Sequence, residues 1–221
     1  MAKMTFKEVL NYVRGETQPL QDLYDLAQRH GCAVEFVSVS KRTIASFESG
    51  GDQPPLIKCP VGCHAHVVYH ELLHLKIFIE SEYSFFNKIP AEFNGEGTKV
   101  IEKIKNSFCS SVDHAWFGSA EINAYPEAKD YWCKRLNDDI WPLATNPPTR
   151  RAIFDMLTHW LTFDPYRTDP YFSDSFKGFD HIFSARGFLE LAADMTTKVK
   201  SVCLDRDAAL YYFEECLLKC V

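Results

Sequence analysis

The sequence has few of the features that mark membrane or exported proteins. It contains no run of eighteen consecutive apolar residues, the minimum for a typical transmembrane helix. The first residues, MAKMTFKEVLNYVRG, alternate charged and apolar side chains too early for the apolar region of a signal peptide. We therefore expect a cytoplasmic protein with no membrane partner.

Basic stripes and phosphate-binding loops are also missing. The formal net charge is -6, and acidic residues are spread along the chain, which disfavours a nucleic-acid partner. There is no glycine-rich phosphate loop and no Gly-any-Ser-any-Gly turn, so phosphoryl transfer and serine hydrolysis lack support. The composition is that of an ordinary globular protein: of the 221 residues, 46% are apolar and 24% are charged.

Cysteine is abundant, but its spacing does not indicate a disulfide framework. Eight cysteines occur at irregular intervals, and without an export signal they are expected to be free thiols. The segment CPVGCHAH places Cys59, Cys63, His64 and His66 within eight residues, a density that suggests a second, structural zinc site. No matching ligand pair follows, so we interpret the segment as a turn that leads from a strand into a helix.

The order of the predicted elements indicates an α+β fold. Apolar residues recur at helical spacing over residues 5–14 and 18–30, which predicts two opening helices. The β-branched segments CAVEFVSVS and RTIASFES are expected to form a hairpin, and LIKC a third strand. We therefore expect a small, mostly antiparallel sheet of about three strands, packed on a helix over residues 65–82.

The rest of the chain is predicted to be mainly helical. The segment DPYRTDPYFSDSFKGFD, rich in proline, glycine and aromatic residues, is expected to be a long ordered loop between two of these helices. Helical spacing of apolar residues predicts five further helices, over residues 98–117, 126–141, 149–163, 184–202 and 206–220.

The segment VVYHELLHLKIFIE contains His70, Glu71 and His74 in the order His-Glu-any-any-His. Residues four apart share one face of a helix, so both histidines can direct a ring nitrogen to one point, which is half of a tetrahedral zinc site. Glu71 projects about 100 degrees round the helix from His70, where it could take a proton from a metal-activated water. The flanking residues are apolar nearly all round, and a metal would satisfy polar groups that are costly to bury.

A catalytic zinc ion needs a third protein ligand from elsewhere in the chain. The next long helix ends in SSVDHAWF, where His114 has small serine neighbours on its face and is the favoured third ligand. Asp113 is the alternative, either as a ligand or as an acceptor that orients a histidine ligand. Glu121 is the main remaining candidate, and His114 could instead be a surface histidine of an amphipathic helix.

These residues resemble the zincin metallopeptidases through the motif HELLH, and more loosely the minimal peptidases related to ImmA and IrrE. The segments LYDLAQRHGCAVEFVSV, LIKC and YHELLHLK look like that family's helix-then-strand opening, edge strand and active helix. The resemblance implies a zinc-bound water, Glu71 as general base, and an extended peptide beside the strand before the active helix. In those peptidases the third ligand is typically a glutamate, whereas Asp113 and His114 occupy that region here.

We therefore expect a zinc-dependent metallopeptidase whose partner is a peptide or protein substrate. The alternatives are a non-catalytic zinc protein whose helical half binds a partner, and a metal-dependent amidase acting on small substrates. The expected organisation is a zincin-like metal-binding core over residues 1–124, followed by a helical region over 125–221 that packs on it in one continuous domain.

Overall fold

The computed structural model describes residues 2–41, 43, 45–50, 53–82, 88–145 and 149–220. The α+β class is confirmed, with one mixed sheet and a helical C-terminal half. No helix in these ranges has both the length and the apolar character required to cross a membrane. The elements in chain order are β1 (Ala2–Met4), α1 (Phe6–Tyr12), α2 (Gln18–Arg29), β2 (Glu35–Val39), β3 (Ser46–Gly50), β4 (Gln53–Pro60), α3 (Ala65–Glu80), α4 (Thr98–Phe117), α5 (Ala120–Ala124), α6 (Ala128–Thr145), α7 (Arg150–Phe163), α8 (Ser173–Ala185), α9 (Leu189–Ser201) and α10 (Arg206–Cys220).

The chain forms two compact units, and the first is discontinuous in sequence. Unit 1 contains residues 1–83 and 120–126, whereas unit 2 contains residues 84–119 and 127–221. Helix α4 therefore groups with the C-terminal helices, whereas the sequence-based boundary was expected after residue 124. Helix α5 returns to unit 1.

The sheet of unit 1 has the order β1-β2-β4-β3. The prediction that β2 and β3 form a hairpin is wrong. Strand β4 lies between them, parallel to β2 and antiparallel to β3. A fourth strand, β1, pairs antiparallel with β2. Two of the three strand pairs are thus antiparallel, so the expectation of a small, mostly antiparallel sheet holds with one more strand.

One face of this sheet carries the apolar side chains that meet the helices. Ile57 of β4 pairs with Phe36 of β2 and with Phe47 of β3, and cross-strand partners project to the same face. Phe36 packs against Phe6 of α1 with ring centroids 5.6 Å apart, and Phe47 packs against Phe78 of α3 at 5.9 Å. The sheet face therefore fixes α3 in unit 1.

The start of α3 is set by a turn and a backbone bridge. Gly62 adopts φ +65, a left-handed conformation that suits glycine, and lets the chain turn after β4. The carbonyl oxygen of Arg14 accepts a 2.8 Å hydrogen bond from the amide of Ala65, and the amide of Arg14 donates to the carbonyl oxygen of Cys63 at 3.0 Å. Arg14 thus satisfies an amide at the helix N-terminus, where intrahelical partners are missing.

Unit 2 is helical and its core is aromatic. Phe213 of α10 packs edge-on against Phe108 of α4 at 4.7 Å and against Phe154 of α7 at 5.5 Å. Helices α4 and α10 have the predicted bounds. Thr149 caps α7, since its side chain accepts a 3.2 Å hydrogen bond from the amide of Ala152.

The long loop predicted in unit 2 is wrong. Its segment forms two short 3₁₀ helices, at Asp164–Tyr166 and Pro170–Phe172, and then begins α8. The reason is burial, because the aromatic residues of this segment, which suggested a loop, lie inside unit 2: Tyr166, Phe172, Phe176 and Phe179.

Candidate metal-binding site

The predicted motif lies on α3, and its side chains are enclosed. Twelve of the sixteen residues of α3 are buried, so the helix is surrounded nearly all round, as its sequence predicts. Glu71 is 8% exposed and His74 is 7% exposed. The rings of His70 and His74 lie one helical turn apart, with centroids 5.0 Å apart and an interplanar angle of 82°. The structure therefore brings the two predicted histidine ligands together on one side of α3.

A buried carboxylate contacts two histidines of this helix. Glu121 of α5 is only 1% exposed. Its Oε2 atom lies 2.8 Å from Nδ1 of His70, and its Oε1 atom lies 3.1 Å from Nδ1 of His66. An ionised carboxylate only accepts hydrogen bonds, so in that state of Glu121 each imidazole would present an Nδ1–H group to it. Glu121 thus uses both of its oxygens on histidines of α3.

This contact defines how His70 could bind a metal ion. Since Nδ1 of His70 faces Glu121, a metal ion bound by this ring would be coordinated through Nε2. Histidine ligands in metalloproteins almost always donate the second ring N–H to a carboxylate, a backbone carbonyl or a water. The His70–Glu121 pair has this arrangement, so the residues present suit a metal ion.

Helix α5 is held in place by aromatic contacts and a long-range hydrogen bond. The hydroxyl of Tyr125, just after α5, donates a 2.8 Å hydrogen bond to the backbone carbonyl of Glu16. The Tyr125 ring packs edge-on against Tyr69 of α3, with centroids 5.2 Å apart. Burial raises the pKa of Tyr69, and the negative charges of Glu121 and Asp22 raise it further. These contacts position the Glu121 carboxylate beside α3.

Cys59, Cys63, His64 and His66 lie between the last residues of β4 and the first turn of α3. Among the residues that the structure describes, no three of Cys59, Cys63, His64 and His66 come close enough to share an ion. Burial raises the pKa of Cys59 to about 12, with further contributions from Cys63 and Glu71. Cys59 is therefore a protonated, inert thiol at neutral pH. The interpretation of this segment as a turn from strand to helix agrees with the backbone.

Asp113, the alternative third ligand, is in an ion pair in unit 2. Its Oδ1 atom lies 3.1 Å from Nη1 of Arg206, at the start of α10, and both side chains are buried. The Arg206 guanidinium also lies over the ring of Trp116, 5.3 Å from its centroid. A carboxylate neutralised by a buried guanidinium is a poor candidate for a metal ligand, and its position indicates a structural role.

His114, the favoured third ligand, is buried on α4 rather than on the surface. It is 3% exposed, which excludes the surface alternative. Its ring packs against Trp132 of α6 at 5.2 Å and against Phe117 at 4.8 Å. Because α4 belongs to unit 2 and α3 to unit 1, the role of His114 as third ligand stays a prediction.

Sequence reasoning missed the connection between His66, Glu121 and His70. His66 was considered only with the nearby cysteines, and Glu121 only as a possible ligand. A signal was present, because His66, His70 and His74 follow one another at intervals of four residues, the spacing of one helical face. The position of Glu121 could not be read in the same way, since it depends on the return of α5 to unit 1.

Comparison with family models, with curated proteins and with solved structures gives no match for this chain.

Proposed function

We propose that this protein is a zinc-dependent hydrolase of peptide bonds, in which His70, His74 and His114 bind the metal ion and Glu71 is the general base. The observation that carries the proposal is the 2.8 Å contact between His70 Nδ1 and the buried Glu121 carboxylate. This contact is typical of a histidine that is oriented for metal binding through its other ring nitrogen.

The choice of His114 as third ligand is supported by the contacts of the two alternative ligands, Asp113 and Glu121. Asp113 is neutralised by Arg206, and Glu121 directs both oxygens to Nδ1 atoms of α3. The two ring nitrogens of His70 point in different directions, so a carboxylate at Nδ1 is not directed at an ion bound to Nε2. A His-His-His ligand set with an open fourth position is an established type of catalytic zinc site.

Zinc supplies Lewis-acid activation of water and of the scissile carbonyl. The chain itself supplies the proton transfers, for which Glu71 is placed next to His70 on α3 and is almost enclosed. The Glu71 carboxylate takes a proton from the attacking water and then delivers it to the amine that leaves. The choice of a peptide as substrate is supported by the resemblance of HELLH to the zincin metallopeptidases.

The decisive experiment compares wild type with Glu71→Gln on a quenched fluorescent peptide library, with zinc content measured in parallel. The amide cannot accept a proton, so hydrolysis should fall by about 10²–10⁴-fold. Zinc content and the cooperativity of unfolding should not change, since Glu71 is not a ligand. Glu80→Gln, at the exposed end of the same helix, is the matched control and should retain full activity.

Two results would overturn the proposal. If purified wild-type protein contains no stoichiometric zinc, the proposed metal site is ruled out. If wild-type protein binds zinc but hydrolyses no peptide, and the Glu71→Gln variant binds zinc with the same affinity as wild type, the zinc site is non-catalytic.

A further inference from the structure

The carboxylate of Glu121 is shared by two histidines that lie one turn apart on α3. His66 is 8% exposed and His70 is partly buried, and each directs Nδ1 at a different oxygen of Glu121. A single buried carboxylate that accepts from both rings limits the rotation of each about its χ2 angle. The charge of the carboxylate is also delocalised over two charge-assisted hydrogen bonds, which are stronger than neutral ones.

We propose that Glu121 is a positioning residue that locks His70 in the Nδ1–H tautomer, and that His66 completes this arrangement by holding the second oxygen. The proposal rests on the proposed function for its metal-binding part. It departs from the resemblance to the minimal peptidases, which implies a glutamate from a following helix as a direct ligand. In this chain Glu121 of α5 contacts Nδ1 of His70, the ring nitrogen opposite to the one proposed to bind the metal ion.

The role of His66 follows from the geometry of a carboxylate. A carboxylate held at one oxygen only could rotate about its terminal torsion, which is a soft degree of freedom. A second imidazole at 3.1 Å fixes the plane of the carboxylate, and therefore the direction from which His70 Nδ1 is held. Because His66 precedes His70 by four residues on one helix, both rings can reach the same group.

The positioning role can be tested in the metal-free chain of 221 residues by ¹⁵N nuclear magnetic resonance of labelled histidines, which reports the protonated ring nitrogen. In wild type, His66 and His70 should both be Nδ1–H tautomers. In Glu121→Gln, the amide keeps one acceptor oxygen and presents an N–H₂ group to the other ring. One of the two histidines should therefore change to the Nε2–H tautomer, and unchanged tautomers for both would overturn the positioning role.

Metal binding supplies a second readout. Zinc affinity, measured by competition with a chelator, should fall about 10–100-fold in Glu121→Gln. The visible absorption spectrum of the cobalt-substituted protein should keep its intensity, because the ligand set is unchanged. A large change in this spectrum would identify Glu121 as a ligand and overturn the positioning role. A zinc affinity equal to that of wild type would overturn it as well.

Two further variants serve as controls. His66→Phe keeps a ring but removes one donor, so His70 should remain Nδ1–H and zinc affinity should fall by no more than a few fold. Asp139→Asn changes a carboxylate that contacts a histidine in unit 2, and it should leave zinc affinity unchanged. Wild-type protein that binds neither zinc nor cobalt would overturn the proposed function, and the tautomers alone would then decide whether Glu121 holds the rings.

Discussion

Each unit contains a histidine that contacts a carboxylate, but the two arrangements use the imidazole differently. In unit 1, the carboxylate of Glu121 contacts Nδ1 of His70. In unit 2, Nδ1 of His159 donates to the backbone carbonyl of Asp155, and Nε2 lies 3.3 Å from the carboxylate of Asp139. Both nitrogens of His159 thus face acceptors within one unit, which favours the doubly protonated ring.

The difference separates a histidine that is suited to a metal ion from one that stabilises the fold. A metal ligand needs a ring nitrogen with a lone pair, and a hydrogen-bond acceptor at the other nitrogen orients the ring. A ring with hydrogen-bond acceptors at both nitrogens has no lone pair to offer and acts as a cation. Both His70 and His159 are histidines near an acidic residue, so residue type does not distinguish them. The ring nitrogen that contacts the carboxylate does: Nδ1 in His70 and Nε2 in His159.

The largest effect should come from removing predicted ligands in unit 1 and unit 2. His74→Ala and His114→Ala should each lose nearly all stoichiometric zinc, because two protein ligands hold zinc far more weakly than three. His159→Ala should retain it and is the matched histidine control. Zinc per chain, measured by atomic emission on purified protein, decides the point. Full zinc content in His114→Ala would move the third ligand to another residue.

A smaller effect is expected from the ion pair next to His114. Asp113→Ala should lower the free energy of unfolding by about 3 kcal/mol, because it leaves the Arg206 guanidinium buried without its counter-charge. Zinc content should be unchanged, which distinguishes this residue from His114. The double variant Asp113→Leu with Arg206→Met should recover much of the lost stability, as measured by urea unfolding. Loss of zinc in Asp113→Ala with stability intact would contradict the structural role.

The smallest effect is the pH dependence that His159 gives to unit 2. Burial alone would lower the pKa of His159, but hydrogen bonds to Asp139 and to the Asp155 carbonyl raise it overall. Because the folded pKa lies above the unfolded value, the stabilisation is present at low pH and is lost as pH rises through the folded pKa. The pKa of Asp139 is lowered, since His159 and Arg135 outweigh its burial, so its own contribution is lost as pH falls through that value.

His159→Gln should therefore destabilise the chain by about 1 kcal/mol near pH 5 and by almost nothing near pH 9, relative to wild type. Urea unfolding in a His70→Ala background measures this effect without interference from zinc binding. A destabilisation that grows with pH would show that the ring is neutral in the folded chain and that the comparison between the two units is wrong.

Sequence reasoning succeeded where the structure depends on local periodicity. The apolar repeats of α4 and α10 predicted both bounds of each helix, and the apolar surface of α3 predicted its burial. It failed where partners are remote in sequence. The short polar segment at Ser40 and Lys41, between the two strands of the expected hairpin, indicates a change of chain direction. It carries no information about β4, which lies between the two strands in the sheet.

In the candidate site, too, the local features were predictable from the sequence and the long-range contacts were not. The spacing of His70, Glu71 and His74 is a local pattern and was found on α3 as predicted. The contact of Glu121 with His70 was not predictable, because it depends on the hydrogen bond from Tyr125 to Glu16, which joins residues 109 positions apart. The aromatic segment of unit 2 was misread for a related reason, since its prolines are local signals whereas its burial is not.

The return of α5 to unit 1 also affects how this protein emerges during synthesis. Residues 1–83 leave the ribosome well before residues 120–126, and residues 84–119, which belong to unit 2, are made in between. The face of α3 that carries His66 and His70 therefore lacks the contacts of Glu121 and Tyr125 until those residues emerge, by which time part of the other unit has left the ribosome. Pairing across so long a loop carries an entropic cost and slows folding. We expect the nascent chain to acquire resistance to proteolysis at α3 only after residue 126 has left the exit tunnel.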